Sequence, residues 1–180
     1  EFGNAPVLLA HSMGALVAAH VALRGRVELA GLVLCSPAFK PWLTSGQRLL
    51  IGALKAVAPN LRLPHGRREP KLSHDQAVTD AYLNDPLVNR VITARLAAFI
   101  AEGGPAALQA AGGLRYRTLL LAAGDDHIVN SAGSREFADA APPGRLALRW
   151  YDQAWHEVLN EAPEIARPVY ADLDAWLAEI

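Results

Sequence analysis

Apolar residues in this chain fall into two kinds of run. Residues 7–10, 32–35 and 118–122 are short, rich in Leu and β-branched residues, and bounded by turn formers. Residues 146–151 form a fourth run that is weaker and more alternating. Short runs that are apolar on both faces fit strands of a covered parallel sheet. The second kind has helical spacing. Residues 15–23 are rich in Ala, Val and Leu and stop at Arg24-Gly25, a helix-end signal. Residues 134–141 read as a short helix closed by Pro142-Pro143-Gly144. Residues 164–177 set Ile165, Val169, Leu173 and Trp176 on one helical face with charges opposite. Strand alternating with helix predicts an α/β fold with a mostly parallel sheet.

The middle breaks that rhythm. From about residue 37 to residue 113 the pattern shows helical patches at 46–57, 75–83 and 89–102 and no convincing strand. Pro41, Pro59, Pro64, Pro70 and Pro86 punctuate them. Ser73-His74-Asp75-Gln76 reads as a helix start, with Ser73 as N-cap and Gln76 closing a capping box. A helical insertion between two strands of a parallel sheet is a cap. The expected organisation is therefore a core segment at 1–36, a helical cap at 37–113 and a second core segment at 114–180.

Composition narrows the functions open to such a fold. The chain has 180 residues, of which 52% are hydrophobic, and a net charge of −1. That is enough apolar material for one core, and the charge balance gives no basis for a nucleic-acid partner. The Lys and Arg residues are scattered, apart from Arg67-Arg68 in a Gly/Pro-rich stretch. A single cysteine, Cys35, excludes an internal disulfide and, inside an apolar run, reads as a small buried hydrophobe. No run reaches membrane-span length. The chain opens at Glu1-Phe2-Gly3 without a methionine, which leaves a targeting segment upstream open; the residues present read as cytoplasmic. No His/Cys pair has metal-ligand spacing and no Gly-rich phosphate loop is present, so neither a metal nor a cofactor is expected.

Three stretches carry chemistry. The first is Ala10-His11-Ser12-Met13-Gly14, near to the G-x-S-x-G elbow but with Ala10 in the place of the first glycine. A strand, a serine between small residues and then a helix is the context in which that pattern is informative. The sharp turn exposes the serine Oγ, and the Met13 N–H points at a developing oxyanion. An ordinary helix N-cap is the competing role for Ser12. The second stretch is Gly124-Asp125-Asp126, two carboxylates at the end of a strand, where open α/β sheets bind ligands. Composition does not choose between them. The third is His156, in the loop after the last strand, where a base has the mobility and access it needs. The remaining histidines are weaker candidates: His11 held by the strand, His20 in the first helix, His65 and His74 in the cap, and His127 beside the acid. Nucleophile, acid and base in that chain order match the α/β-hydrolase order.

These stretches together resemble the monoacylglycerol lipase and lysophospholipase group of α/β-hydrolases, within the serine aminopeptidase-type hydrolase family. "LLAHSMGALVA" resembles its elbow and "GLVLCSPAF" its next strand. "LSHDQAVTDAYLNDPLV" resembles its cap segment, "LLLAAGDDHIVNSAGSREF" its acid loop and "WHEVLNE" its histidine loop. The resemblance implies Ser12 as nucleophile, His156 as base and Asp126, which stands before His127-Ile128-Val129, as acid. It implies a Met13 oxyanion donor and lipid esters with one long acyl chain as substrates. His11, Leu50, Leu54, Ile92, Leu96 and Phe99 are the candidate substrate contacts, and the cap the candidate point of peripheral membrane contact. Ala10, Ala15 and Arg117 depart from the family pattern. The family's earlier strands, with a loop supplying a second oxyanion donor, have no counterpart here. The first run then reads as an apolar sheet edge, and the expectation is that activity needs that N-terminal segment of the same hydrolase. A non-catalytic binder, or a fragment inactive on its own, is the alternative.

Overall fold

The computed structural model describes residues 5–64 and 71–180. Glu1-Phe2-Gly3, His65 and Arg67-Arg68 lie outside the described residues. Four parallel strands form the main sheet: β1 (Val7–His11), β2 (Gly31–Cys35), β5 (Thr118–Ala123) and β6 (Leu146–Tyr151). Their order is β1-β2-β5-β6, in register at Val7 with Gly31, Leu32 with Thr118, and Thr118 with Leu146. All residues of β2 and β5 are buried, which is why those two strands read as continuous apolar runs rather than alternating ones. Their side chains divide by the pleat. Leu32, Leu34, Leu120 and Ala122 join the core on the side of α1 (Ser12–Arg24). Val33, Cys35, Leu119 and Leu121 join the core under α6 (Pro163–Leu177). Helix α5 (Ala132–Ala140) sends Phe137 into the first of these cores, stacked 4.5 Å from Phe39. Among the described strands β1 is an edge, and its Leu9 is 45% exposed.

Between β2 and β5 lie α2 (Ser45–Val57), α3 (Gln76–Asn84) and α4 (Ala94–Ala110). Thr44 opens α2 with a capping box: its hydroxyl accepts from the Gln47 N–H, and the Gln47 side chain accepts from the Thr44 N–H. The insertion is not purely helical. Strands β3 (Arg62–Pro64) and β4 (Val91–Thr93) pair antiparallel, Leu63 opposite Ile92. Each is three residues long, too short for an alternating pattern to emerge. The start of α3 also differs from the capping-box reading. Asp75, not Ser73, is the N-cap, its carboxylate accepting from the Ala77 N–H. Ser73 is buried and serves another contact described below. Among the described residues no helix is long and apolar enough to cross a membrane.

Helix α4 begins later and runs further than its periodicity predicts. Thr93 caps it, accepting from the Leu96 N–H, and it passes straight through Gly103-Gly104-Pro105. Pro105 has no N–H for the Ala101 carbonyl four residues back. Arg48 of α2 supplies the missing donor, its Nη1 lying 2.9 Å from Ala101 O. His20 of α1 donates to the Gly103 carbonyl at 2.9 Å. The apparent helix breakers are thus contact points that lock α4 to α1 and α2. Gly104 is fixed by sterics, because a Cβ there would stand 2.0 Å from the Phe39 carbonyl oxygen. In an open helix Gly→Ala gains about 1 kcal/mol. At Gly104 the overlap reverses the sign, and Gly104→Ala is expected to lower stability by about 2 kcal/mol or more. Urea denaturation reads this, and a raised midpoint would contradict the close approach.

Candidate active site

β1 runs into α1 without a loop, and the turn is made by Ser12 itself, at φ 53°. A left-handed conformation at a non-glycine residue costs about 1–2 kcal/mol. What it achieves is direction: the hydroxyl leaves the strand end and meets a histidine. His156 Nε2 lies 2.8 Å from Ser12 Oγ, and His156 Nδ1 lies 2.7 Å from Asp126 Oδ2. With Nδ1–H donating to the carboxylate, Nε2 accepts the serine O–H. His156 is 3% exposed and Asp126 9%, so the bond between them is sheltered from water, while the bond to Ser12 is half-buried. The helix start is left open as well. No side chain caps α1, and Met13, its second residue, belongs to the first turn whose N–H groups have no intrahelical acceptor.

The two carboxylates left open by composition point in different directions. Asp126 turns inward. Its Oδ1 accepts from the Ile128 and Val129 N–H groups at 2.7 and 2.9 Å, and its Oδ2 takes the histidine. Asp125 is exposed and accepts from Trp155 Nε1 and His127 Nε2. The loops carrying acid and base are laid directly against each other. Gly124 N–H donates to Tyr151 O and Asp125 N–H to Ala154 O. A Cβ on Gly124 would stand 2.6 Å from Asp152 Cα, so only glycine lets the two loops approach this closely.

His11 packs against the base. Its ring centroid is 4.8 Å from that of His156, and its Nε2 donates to the His156 carbonyl at 3.2 Å. Burial holds the His11 pKa below its ordinary value, with Glu157, 3.8 Å away, opposing. Burial likewise pushes the Cys35 thiol up to about 12, which fits an inert core residue. The five apolar cap candidates are spread over the insertion. Leu50 is 58% exposed on α2, a helix with no buried residue. Leu54, Ile92 and Leu96 are half-buried. Phe99 lines a groove of about 380 Å³ between α1 and α4 with Val17, His20 and Val21. The structure thus brings Ser12, Asp126, His156 and His11 together, while Phe99 faces α1. Gly124, and Glu161, whose carboxylate accepts from the N–H of Trp155 next to His156, are not among the residues expected at the site. The signals for them are present: a glycine just before two acids, and the last residue of the WHEVLNE stretch.

A serine hydroxyl bonded to a sheltered imidazole, itself bonded to a carboxylate, can transfer the serine proton as the oxygen attacks an electrophile. Related chains occur in other proteins. Human monoglyceride lipase is 28% identical over 185 residues, covering 99% of this chain and 60% of its own length. Phospholipase YtpA of Bacillus subtilis is 26% identical over 158 residues, covering 86% of this chain and 61% of its own. The crystal structure of Paleococcus ferrophilus monoacylglycerol lipase superposes with a TM-score of 0.91 at 26% identity, covering 98% of this chain and 69% of that one. This chain therefore spans about 60% of the length of the curated relatives it matches. The model of the family described as serine aminopeptidase, S33, matches residues 1–163, a stretch that includes β1 to β6 and the loops of Ser12, Asp126 and His156. On that match this chain belongs to the serine aminopeptidase S33 hydrolase family and has the α/β-hydrolase fold.

Proposed function

We propose that the protein is a serine hydrolase of carboxylic esters bearing a single long acyl chain, either monoacylglycerols or lysophospholipids. The continuous hydrogen-bonded line from Ser12 through His156 to Asp126, starting at a strained elbow, carries the reading. Ser12 Oγ attacks the ester carbonyl carbon as its proton passes to His156 Nε2. Asp126 holds the Nδ1–H tautomer and stabilises the imidazolium. The Met13 N–H donates to the oxyanion. The C–O ester bond then breaks, the alcohol leaves with the proton from Nε2, and an acyl-serine remains. Water gives a proton to the same nitrogen and attacks the acyl carbon; the bond from that carbon to Ser12 Oγ breaks, the fatty acid leaves, and Nε2 returns the proton to Oγ.

The substrate class is supported by the relatives' names, which include monoglyceride lipases and a phospholipase. The cap supplies apolar surface for the lipid aggregate: Leu49, Leu50, Val57 and Leu87 are each more than half exposed. A panel of glycerol esters and lysophospholipids of increasing chain length tests the assignment. Turnover should rise with acyl length and fall when a second acyl chain is present. A protein that cleaves short p-nitrophenyl esters and no long-chain ester would refute the substrate class while leaving the chemistry intact.

A further inference from the structure

His156 sits in a loop, and a loop does not by itself hold an imidazole within tenths of an ångström. Two backbone groups adjoining it are tied down, and both ties lead to residues 72–75, the segment of the cap just before α3, here called its stem. The N–H of Trp155, just before His156, donates to Glu161 Oε1 at 2.6 Å. The N–H of Glu157, just after it, donates to the Leu72 carbonyl at 2.9 Å. Glu161 then reaches the stem itself. It accepts from the His74 N–H at 2.8 Å, His74 Nδ1–H at 3.0 Å and Ser73 Oγ at 3.2 Å. The Ala162 N–H adds a further donor at 3.1 Å. The Glu161 side chain is fully shielded from solvent. The His74 ring lies on Trp155, centroids 4.0 Å apart, which doubles the contact between stem and loop.

A buried carboxylate surrounded by donors is costly to leave half satisfied. Burial alone raises the carboxyl pKa of Glu161. The N–H groups of Trp155 and His74, the His74 imidazole and the Ala162 N–H outweigh it and hold the pKa below the usual glutamate range. The ionised form is therefore the one built into the fold, and its donors come from both sides of the joint.

Resting on the hydrolase reading above, we propose that Glu161 is a positioning residue that fixes His156 against Asp126 and Ser12 by joining the cap stem, residues 72–75, to the histidine loop. Seating of the cap and alignment of the base then become one event. Glu161 touches no reacting atom; it acts through the Trp155 amide and the stem.

Proton NMR of the full chain tests this through the low-field signal of the His156 Nδ1–H. Ser12→Ala should keep the signal and Asp126→Asn should remove it, which identifies it. In Glu161→Gln the signal should exchange with water about tenfold faster. The kcat for a long-chain ester should fall about 10–100-fold with KM near that of the parent. A folded Glu161→Gln with the parent's exchange rate and kcat overturns the proposal. If Glu161→Gln does not fold, His74→Ala removes one donor from a part-exposed ring, and an unchanged exchange rate there overturns it equally. A parent that shows the signal but, assayed with the N-terminal segment of the hydrolase supplied, hydrolyses no ester refutes the hydrolase reading, while the exchange rates still decide the role of Glu161.

Discussion

Ser12→Ala is expected to abolish covalent labelling by a fluorophosphonate probe and to lower ester turnover by about 10⁴–10⁶-fold. The size follows from what the substitution removes. Without Oγ there is no acyl-serine, and His156 Nε2 has no proton to accept. Whatever catalysis remains comes from the Met13 oxyanion donor and from holding the ester in place. The change in fold is small by comparison. The Ser12 side chain makes its one described hydrogen bond to His156, and losing one such bond costs about 1 kcal/mol. Alanine does not relieve the left-handed φ of 53° either, because it carries the same Cβ. Loss of labelling with a nearly unchanged denaturation midpoint therefore reads chemistry and not unfolding. Label that persists in Ser12→Ala would place the nucleophile elsewhere and remove the basis of the proposed mechanism.

Much of this site is legible from residue pattern because the sheet is legible. Two strands buried on both faces can only be written as apolar runs, and the runs Leu32–Cys35 and Thr118–Ala122 lie within one residue of the ends of β2 and β5. Once those strands are placed, Ser12, the Asp125-Asp126 pair and His156 all follow strand ends, and their order limits the chemistry. The choice between the two acids was different. Gly-Asp-Asp has no period to read, and the family resemblance, not the residue pattern, selected Asp126. The structure gives the physical ground: the Ile128 and Val129 amides fold back on one carboxylate and turn it inward.

The cap was less legible, for two physical reasons. Strands β3 and β4 are shorter than two alternations, so they leave no periodic trace. The long helix α4 contains Gly103-Gly104-Pro105, which by local rule ends a helix. Tertiary partners override that rule. Gly104 is required by the Phe39 backbone, and the carbonyl orphaned by Pro105 is taken by Arg48. Ser73 departs from the capping-box pattern for the same kind of reason. Its place before Asp75 suits a cap, but its hydroxyl donates toward Asn160 and Glu161, more than eighty residues on.

Asp126→Asn should lower turnover and labelling rate by about 10⁴-fold while leaving the serine and the fold in place. An asparagine at 126 can still offer its carbonyl oxygen to the Ile128 and Val129 N–H groups that Oδ1 now accepts. Its NH₂ then faces His156 Nδ1. Two donors cannot share that contact, so the imidazole must carry its proton on Nε2 instead. That nitrogen lies 2.8 Å from Ser12 Oγ, and once protonated it has no lone pair with which to accept the serine proton. The loss is thus one of tautomer, not of geometry. Asp125→Asn is the matched control. Its carboxylate faces outward to Trp155 Nε1 and His127, and its replacement should leave turnover close to that of the parent. If Asp125→Asn proved the crippled variant and Asp126→Asn the active one, the acid would be misassigned and the inward carboxylate would be a loop brace. Measuring both variants with one long-chain ester and one fluorophosphonate separates the cases. A deficit shared by both reagents lies in activation of Ser12. A deficit confined to the ester lies in leaving-group protonation or deacylation, the steps that also pass through His156 Nε2.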